Sequence, residues 1–414
     1  MTFKELNKEE FDNFALNYIP STPYQTSAYG ETMKSQGYTP YYYGMNDNGN
    51  IVAATMVLVK LDGKFKYGYV PRGYLIDYKN KELLNEFTIN LRKDLNSKNI
   101  TAIKISPMIV KNIYNSKYEL ISSNPDYDLI FNNLKELGYT HLGYNNYFEG
   151  YKPRFDALLE LNEDYFSLFN NMTKQFKTKV RSSENNGVRI HKGTPDEIKT
   201  LYEQAKNKYP RDLKYYEELY NNFKDDVELY YAKIDPEVYL KKNQKEFVEI
   251  EKYANIANQN VMNNKGKSHQ HELTKKMDAD IALNNAKANL NKAVNLMARY
   301  PKGVIIATVL LIKTNNTITI MMDSFDRKYN SFNAKHLIIW KLIEKYAKEG
   351  YKFFNLGGIT AKVDNKDKYY GLNSYKLGFG SKSYEYIGDL EFITNKPLYL
   401  MYKNTGNLFK KEKK

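Results

Sequence analysis

Two rounds of mixed helix and strand patterning within 414 residues predict an α/β (α+β) chain of duplicated organisation. Three observations carry that prediction. Helical spacing alternates with short β-branched and aromatic runs through residues 1–150, and the alternation begins again near residue 153. A segment at 238–299 interrupts the second round with two heptad-spaced stretches. The length is ample for two or three domains at roughly 150 residues each. No residue-level repeat accompanies the repeated pattern.

In the first unit, residues 8–18 and 28–36 read as helices. The stretch YTPYYYGMNDNGNIVAATMVLVKLDGKFKYGYVPRGYLIDY reads as strands, with an Asn-Asp-Asn-Gly turn around Asp47–Gly49. Leu83, Leu84, Phe87, Leu91 and Leu95 fall on one face of a helix at 80–98. ITAIKISP follows as a strand, and 128–137 as a helix ended by Gly138. In the second unit, YFSLFNNMTKQFKTKVRSSENNGVRIHKG reads as a basic helix, a stop at Gly187 and a strand. Helices at 195–208 and 212–223 precede the strand VELYYAKI. After the interruption come strands GVIIATVLLIK and TITIMMDSF, a helix at 333–348 and the strand FFNLGGI.

The interruption reads as a helical hairpin. Phe247, Ile250, Ala254, Ala257 and Val261 are spaced 3, 4, 3, 4; Ala279, Leu283, Ala286, Leu290, Ala293 and Met297 are spaced 4, 3, 4, 3, 4. Gly266 in the polar tip NNKGKSHQH supplies the turn. Each arm is about 35–40 Å long at 1.5 Å per residue. A projecting antiparallel arm and two ordinary packed helices are both compatible with this spacing.

Lys+Arg of 62 against Asp+Glu of 48 gives a net charge of +14. This suits polyanionic partners, and it equally suits a lysine-rich soluble protein. Zero cysteines exclude disulfides, thiolate metal sites and Cys nucleophiles and fit a reducing compartment. MTFKELNKEEF is too polar for a signal peptide. VIIATVLLI at 304–312 is half the length of a membrane span and reads as a buried strand. A cytoplasmic protein is expected, with any membrane contact peripheral.

Familiar catalytic motifs are missing. GKS at 266–268 lacks the upstream glycine of a P-loop, and no G-x-S-x-G elbow occurs. His141, His191, His269, His271 and His336 are scattered, so no metal site is expected. What recurs is a cation beside aromatics: Lys34 in YQTSAYGETMK, Arg72 in YVPRGYLIDY, and Arg211 in KYPRDLKYYEELY with Tyr215 one turn on. Converging from separate segments, such residues suit a pyrophosphate; singly, each also reads as a surface cation. In YGLNSYKLGFGSK, Lys376 stands beside a Gly-Phe-Gly turn as a phosphate contact, a catalytic charge or a surface lysine.

Six ordered stretches then carry a resemblance. They are YQTSAYGETMKSQGY, YGYVPRGYLIDY, FKTKVRSSENNGVRI, YPRDLKYYEEL, FNAKHLIIWKLIEKYAKEGYKFFNLGGI, and GLNSYKLGFG followed by YEYIGDLEF. With the hairpin in its place, the whole chain resembles the FemABX family of non-ribosomal peptidyltransferases. The resemblance implies two tandem GNAT-like subdomains, 1–152 and 153–384, an inserted coiled-coil arm at 238–299, and a final segment 385–414 returning to the first subdomain. It implies aminoacyl-tRNA as donor and a muramyl-peptide precursor, lipid-linked or UDP-linked, as acceptor, with no cofactor and no DNA.

The resemblance also implies site residues. Lys376 is the catalytic lysine, paired with Tyr375, and Lys34, Arg211 and Tyr215 hold the acceptor. The family often carries an acid before the proline of an IDP-like strand end. Here IKISP puts Ser106 there, so the acceptor amine is positioned differently or the acceptor differs. Gly378 and Gly380 are expected to let substrate backbone pass close to Lys376. Lys174, Lys177, Lys179 and Arg181 of a helix at 172–185 form a tRNA or phosphate face. The tail LFKKEKK is either solvated or against an anionic membrane. Two alternatives stay open: an acyl-CoA transferase, though a Q/R-x-x-G-x-G/A loop is lacking, and a non-catalytic basic coiled-coil nucleic-acid-binding protein.

Overall fold

The computed structural model describes residues 1–405 except 163, 208–210, 264, 265 and 267. The chain begins with β1 (Thr2–Glu5), α1 (Lys8–Ala15), α2 (Ser27–Lys34), β2 (Thr39–Asp47), β3 (Asn50–Asp62) and β4 (Phe65–Pro71). It continues with α3 (Lys81–Ser97), β5 (Ile100–Ser106), β6 (Val110–Tyr114), β7 (Leu120–Ser123), α4 (Tyr127–Glu136) and β8 (Tyr139–His141). Next come β9 (Phe155–Glu160), α5 (Tyr165–Asn171), α6 (Lys174–Asn185), β10 (Val188–Lys192), α7 (Ile198–Ala205), α8 (Leu213–Phe223) and β11 (Val227–Ile234). The long helices α9 (Pro236–Met262) and α10 (His269–Arg299) precede β12 (Val304–Lys313), β13 (Thr317–Phe325) and α11 (Ala334–Lys348). The last elements are β14 (Phe353–Ile359), α12 (Tyr370–Leu377), β15 (Lys382–Tyr386), β16 (Leu390–Ile393) and α13 (Lys396–Thr405).

Among the described residues the strands form two sheets, β1-β2-β3-β4-β5-β16-β8 and β10-β11-β12-β13-β14-β9-β15-β6-β7. Each sheet has one parallel pair, β4–β5 and β13–β14. Parallel neighbours need a crossover, and each crossover is a helix. α3 buries Leu83, Leu84, Phe87, Leu91 and Leu95, the row marked by the spacing, against the first sheet. α11 buries Leu337, Ile338, Ile343 and Tyr346 against the second. The expected mixed α/β fold in two units is therefore present.

The two parallel pairs differ. β4 and β5 stay paired from Lys66–Ile100 to Pro71–Ser106. β13 and β14 pair only from Thr317–Phe353 to Thr319–Asn355. Beyond that point β13 follows β12 to Phe325, and β14 follows β9 through a bulge to Ile359. A fork opens between their carboxyl halves.

A shared core sets the seam between the units. Leu6, Phe11, Tyr29, Met33 and Tyr42 pack with Leu201, Tyr216, Leu219, Leu229 and Met322. Burying apolar side chains from both units in one cluster opposes their sliding apart. α9 and α10 meet along buried Ala254, Ala257, Ala279, Ala286 and Ala293, which lets the backbones come close. Tyr239 near the base of this hairpin packs on Phe332, ring centres 4.9 Å apart.

Several features depart from the reading of the sequence. The basic segment is two helices, because Met172 is extended (φ −66, ψ 151) and breaks the run. Lys376 lies in the last turn of helix α12, directly before the Gly378–Gly380 turn. The hairpin β6–β7 pairs through β15 into the second sheet, although it follows a first-sheet strand. β15 also pairs with β9, so the chain regains the first sheet only at β16. The tail LFKKEKK, residues 208–210 of KYPRDLKYYEELY and residues 264, 265 and 267 of the hairpin tip lie outside the described residues. No described helix is long and apolar enough to cross a membrane, and VIIATVLLI forms β12.

Candidate active site

Lys376 binds β14 beside the β13–β14 fork. Its Nζ donates to the Gly358 carbonyl at 2.8 Å. Gly357, at φ +83, faces the same ammonium: a Cβ there would lie 3.3 Å from Nζ and 3.8 Å from the Ile320 carbonyl of β13. The lysine head thus lies against the Gly357–Gly358 bulge of β14, on the stretch that has parted from β13. Glycine tolerates this left-handed backbone where a side chain would strain. One turn earlier on the same helix face, buried Asn373 accepts the Thr360 N–H at 3.1 Å and donates to Thr360 Oγ1 at 2.9 Å. Asn373 and Lys376 staple α12 to the end of β14.

Tyr375 turns the other way. Its ring packs among Phe176, His336 and Phe379, and its hydroxyl donates to the Lys335 carbonyl at 3.2 Å. Burial, helped by the Asp323 charge, holds the phenol well above its ordinary range. The structure therefore does not bring Tyr375 to the fork with Lys376. In the same packing burial, with Lys179 and Lys335 nearby, pushes the His336 imidazole down to about 3. The glycines after Lys376 serve packing too. A Cβ on Gly378 would meet the Phe176 ring at 2.5 Å, and one on Gly380 the Asn171 carbonyl at 3.2 Å. Protein, not substrate, occupies that clearance.

Arg72 ends β4 at φ +55. Its guanidinium donates to Asp156 Oδ2 at 2.9 Å and to the Pro153 carbonyl at 3.0 Å, 4.5 Å over the Tyr386 ring. Both members of the pair are buried, with side chains 4% and 6% exposed. Arg72 is thus a link between the sheets rather than an open fork for phosphate. Two cavities flank it. One, of about 120 Å³, is lined by Tyr24, Met108, Leu158, Thr319, Asn355 and Tyr386 and reaches the last paired residues of the fork. The other, of about 10 Å³, is lined by Ser106, Lys152, Arg154 and Asp389 among others. That is room for about one water.

Ser106 touches a carboxyl group. Its hydroxyl donates to Asp389 Oδ1 at 2.5 Å. Burial pushes the Asp389 carboxyl up, while the Ser106 hydrogen bond and the Lys104 and Arg72 charges pull it down. A carboxyl group therefore stands beside position 106, delivered from the chain just before β16, which pairs with β5. YEYIGDLEF contains Asp389, but only the sheet order shows what it faces.

Arg211, Tyr215 and Lys34 gather at the α2–α8 contact. Arg211 donates to Gln36 Oε1 at 3.0 Å and lies 5.1 Å over the Tyr215 ring. Tyr215 is buried and hydrogen-bonded to Tyr29. Lys34 is half exposed and paired with Glu31 at 2.9 Å. On α6, Phe176 and Val180 are buried, while Lys174 and Arg181 are exposed and Lys177 and Lys179 partly so. Among the described residues no group of three His, Asp or Glu side chains is placed to hold a metal.

Two mixed sheets, each with a helix-crossed parallel pair, and a lysine bound to the bulge of β14 define the α/β chain and its candidate site. The model of the FemAB family matches residues 6–406, and the chain belongs to that family. Aminoacyltransferase FemA of Staphylococcus epidermidis is 25% identical over 423 residues, covering 99% of this chain and 100% of that protein. Lipid II:glycine glycyltransferase of Staphylococcus aureus (strain USA300) is 24% identical, covering 95% and 93%. The crystal structure of FemX superposes with a TM-score of 0.75 at 22% identity, over 97% and 99% of the two chains, a likeness of fold.

Proposed function

We propose that the protein transfers an amino acid from aminoacyl-tRNA to the stem-peptide amine of a lipid-linked or UDP-linked muramyl precursor, building the interpeptide bridge of peptidoglycan. The observation that carries this reading is the Lys376 ammonium fixed at the fork. The names of the relatives, aminoacyltransferase FemA and lipid II:glycine glycyltransferase, support the reaction class and acceptor. A net charge of +14 and the cations on α6 support a tRNA donor.

An aminoacyl ester needs no further activation. The neutral acceptor amine attacks the ester carbonyl, an oxyanion develops, the C–N bond forms and the ribose oxygen leaves with a proton. Lys376, positioned by Gly358, stabilises the oxyanion in a water-poor site. Arg211, Tyr215 and Lys34 hold the acceptor at the seam, and the cavity beside Arg72 joins the seam to the fork. The reaction takes place at the cytoplasmic membrane face, with the protein peripheral to the bilayer.

The test is transfer of radiolabelled amino acid from charged tRNA to lipid-linked and UDP-linked muramyl pentapeptides. Lys376→Met is expected to lower kcat by about 10²–10³ with little change in acceptor KM, the loss typical of one oxyanion donor. No transfer from any charged tRNA to either precursor overturns the reading. Full activity in Lys376→Met removes that lysine from the mechanism.

A further inference from the structure

Asn355 stands where both ladders of β14 stop. Thr319–Asn355 is the last pair with β13, and Leu158–Asn355 the last with β9 before the bulge. Pairing with β9 resumes at Asp156–Gly358, so among the described residues Leu356 and Gly357 have no opposite residue in either ladder. A bulge leaves its extra residue outside the ladder. Here the Asn355 side chain supplies a bond: its Oδ1 accepts the Gly357 N–H at 2.7 Å. An asparagine closing on the backbone two residues ahead puts a local bond in place of a ladder bond. Gly357 takes φ +83 inside that turn, and the carbonyl of Gly358 accepts Lys376 Nζ at 2.8 Å. The side chain of Asn355 thus shapes the seat of the lysine from within β14. Its other end faces the link between the units. Asn355 Nδ2 donates at 3.4 Å to Asp156 Oδ2, the oxygen that Arg72 holds at 2.9 Å. All three side chains line the cavity of about 120 Å³.

We propose that Asn355 is a positioning residue of the transfer reaction: it sets the bulge that seats Lys376 and ties that seat to the Arg72–Asp156 link. The proposal rests on the role given to Lys376 above. Asn355 acts through Gly357 and Gly358 and needs no contact with the reacting atoms. A charge stabilises an oxyanion best where it is held in place beforehand. A seat that drifts by about 1 Å therefore costs rate and leaves substrate binding alone.

Two substitutions separate the ends of the side chain. Serine and alanine at 355 differ by one hydroxyl, and a serine hydroxyl accepts the N–H two residues on, more weakly than asparagine does. Both variants lose Nδ2 and both open the same side of the cavity. Their difference therefore reports the bond to Gly357. The difference between asparagine and serine reports the rest, the link to Asp156 included.

The experiment is steady-state transfer from charged tRNA to muramyl pentapeptide by the full chain, with Asn355→Ser and Asn355→Ala each made alone and on top of Lys376→Met, and a urea midpoint for every variant. Asn355→Ala is expected to lower kcat about tenfold, the loss of one hydrogen bond, with KM for donor and acceptor within about twofold of wild type. Asn355→Ser is expected to fall between the two. On top of Lys376→Met, Asn355→Ala is expected to cost nothing further, because the seat then holds no ammonium. A merely structural role would lower both backgrounds alike. Should Asn355→Ala fail to fold, Asn355→Ser against wild type in both backgrounds makes the same comparison. Equal losses in both backgrounds, serine no better than alanine, wild-type kcat in Asn355→Ala, or a raised KM at unchanged kcat overturns the positioning role. Impaired Lys376→Met beside unimpaired Asn355→Ala removes this proposal alone. Full activity in Lys376→Met, or no transfer by the wild type, removes the role of the lysine and the proposal with it.

Discussion

Glu228 on β11 shows what a buried carboxylate does here when it is not part of the site. It accepts from Tyr230 at 2.6 Å, from Tyr346 and from Lys192 at 3.0 Å, with Lys313 at 3.5 Å and Lys345 at 3.8 Å. Burial alone would raise its carboxyl, but these donors and charges outweigh burial and hold it down to about 2 from 4.5. The stabilisation is fully present above 4.5 and is lost as pH falls through 2. At 1.36 kcal/mol per unit this amounts to about 3 kcal/mol. Urea unfolding of wild type and Glu228→Gln at pH 7 and pH 2.5 checks it: wild type should lose about 2–3 kcal/mol more than the variant. Equal losses would show that the carboxylate titrates as an ordinary one. Individual residues were legible in proportion to how locally their chemistry is written. Lys376 and Arg211 stand in recognisable runs. Asp389 and Asn373 matter only for what they face across sheets, and no spacing in the chain shows that. Arg72 and Tyr375 have the right chemistry for a site, but burial commits them to Asp156 and to α11.

At the scale of elements, α12 joins the site to the core, and its glycines separate the two duties. Gly378 lies against the Phe176 ring, 2.5 Å from where a Cβ would be, whereas nothing lies within 4 Å of the Cβ position at Gly371. Gly378→Ala must push the ring of α6 away and is expected to cost about 1–3 kcal/mol, as overpacking does. It should also lower kcat by shifting Lys376 from Gly358. Gly371→Ala sits in an open helical position and should stabilise by about 0.5–1 kcal/mol through the unfolded chain. Denaturant unfolding of both variants measures the contrast, and a neutral Gly378→Ala would refute the packing role. The helices and strands themselves were largely legible, because amphipathic spacing and β-branched runs are local. The parallel fork was not. β13 and β14 are separated by α11, and the register at which they part depends on the bulge in β14 and on β9 beyond it.

At the scale of the molecule, the two-unit pattern was visible, but the assignment of strands to sheets was not: β6, β7, β15 and β16 are exchanged by pairing, not by composition. The inserted hairpin is the one large element whose removal leaves every sheet intact. β11 and β12 pair with each other, and their ends meet at Ile234–Val304, where α9 leaves and α10 returns. The alanine seam buries α9 and α10 against one another, while Tyr239 and Leu296 near the base join the second core. Excising residues 244–292 and closing the gap with a short glycine linker keeps both base residues. The sheets, the seam cations and the fork should then survive. Unfolding of the excised protein is expected to stay cooperative, with a midpoint lowered by a few degrees and UDP binding within about twofold of wild type. Loss of cooperative unfolding would show the arm to be part of the core. If binding is retained while transfer from charged tRNA falls, the arm serves the donor rather than the acceptor, because Arg211, Tyr215 and Lys34, the residues proposed to hold the acceptor, stand at α2 and α8, on elements the excision does not touch.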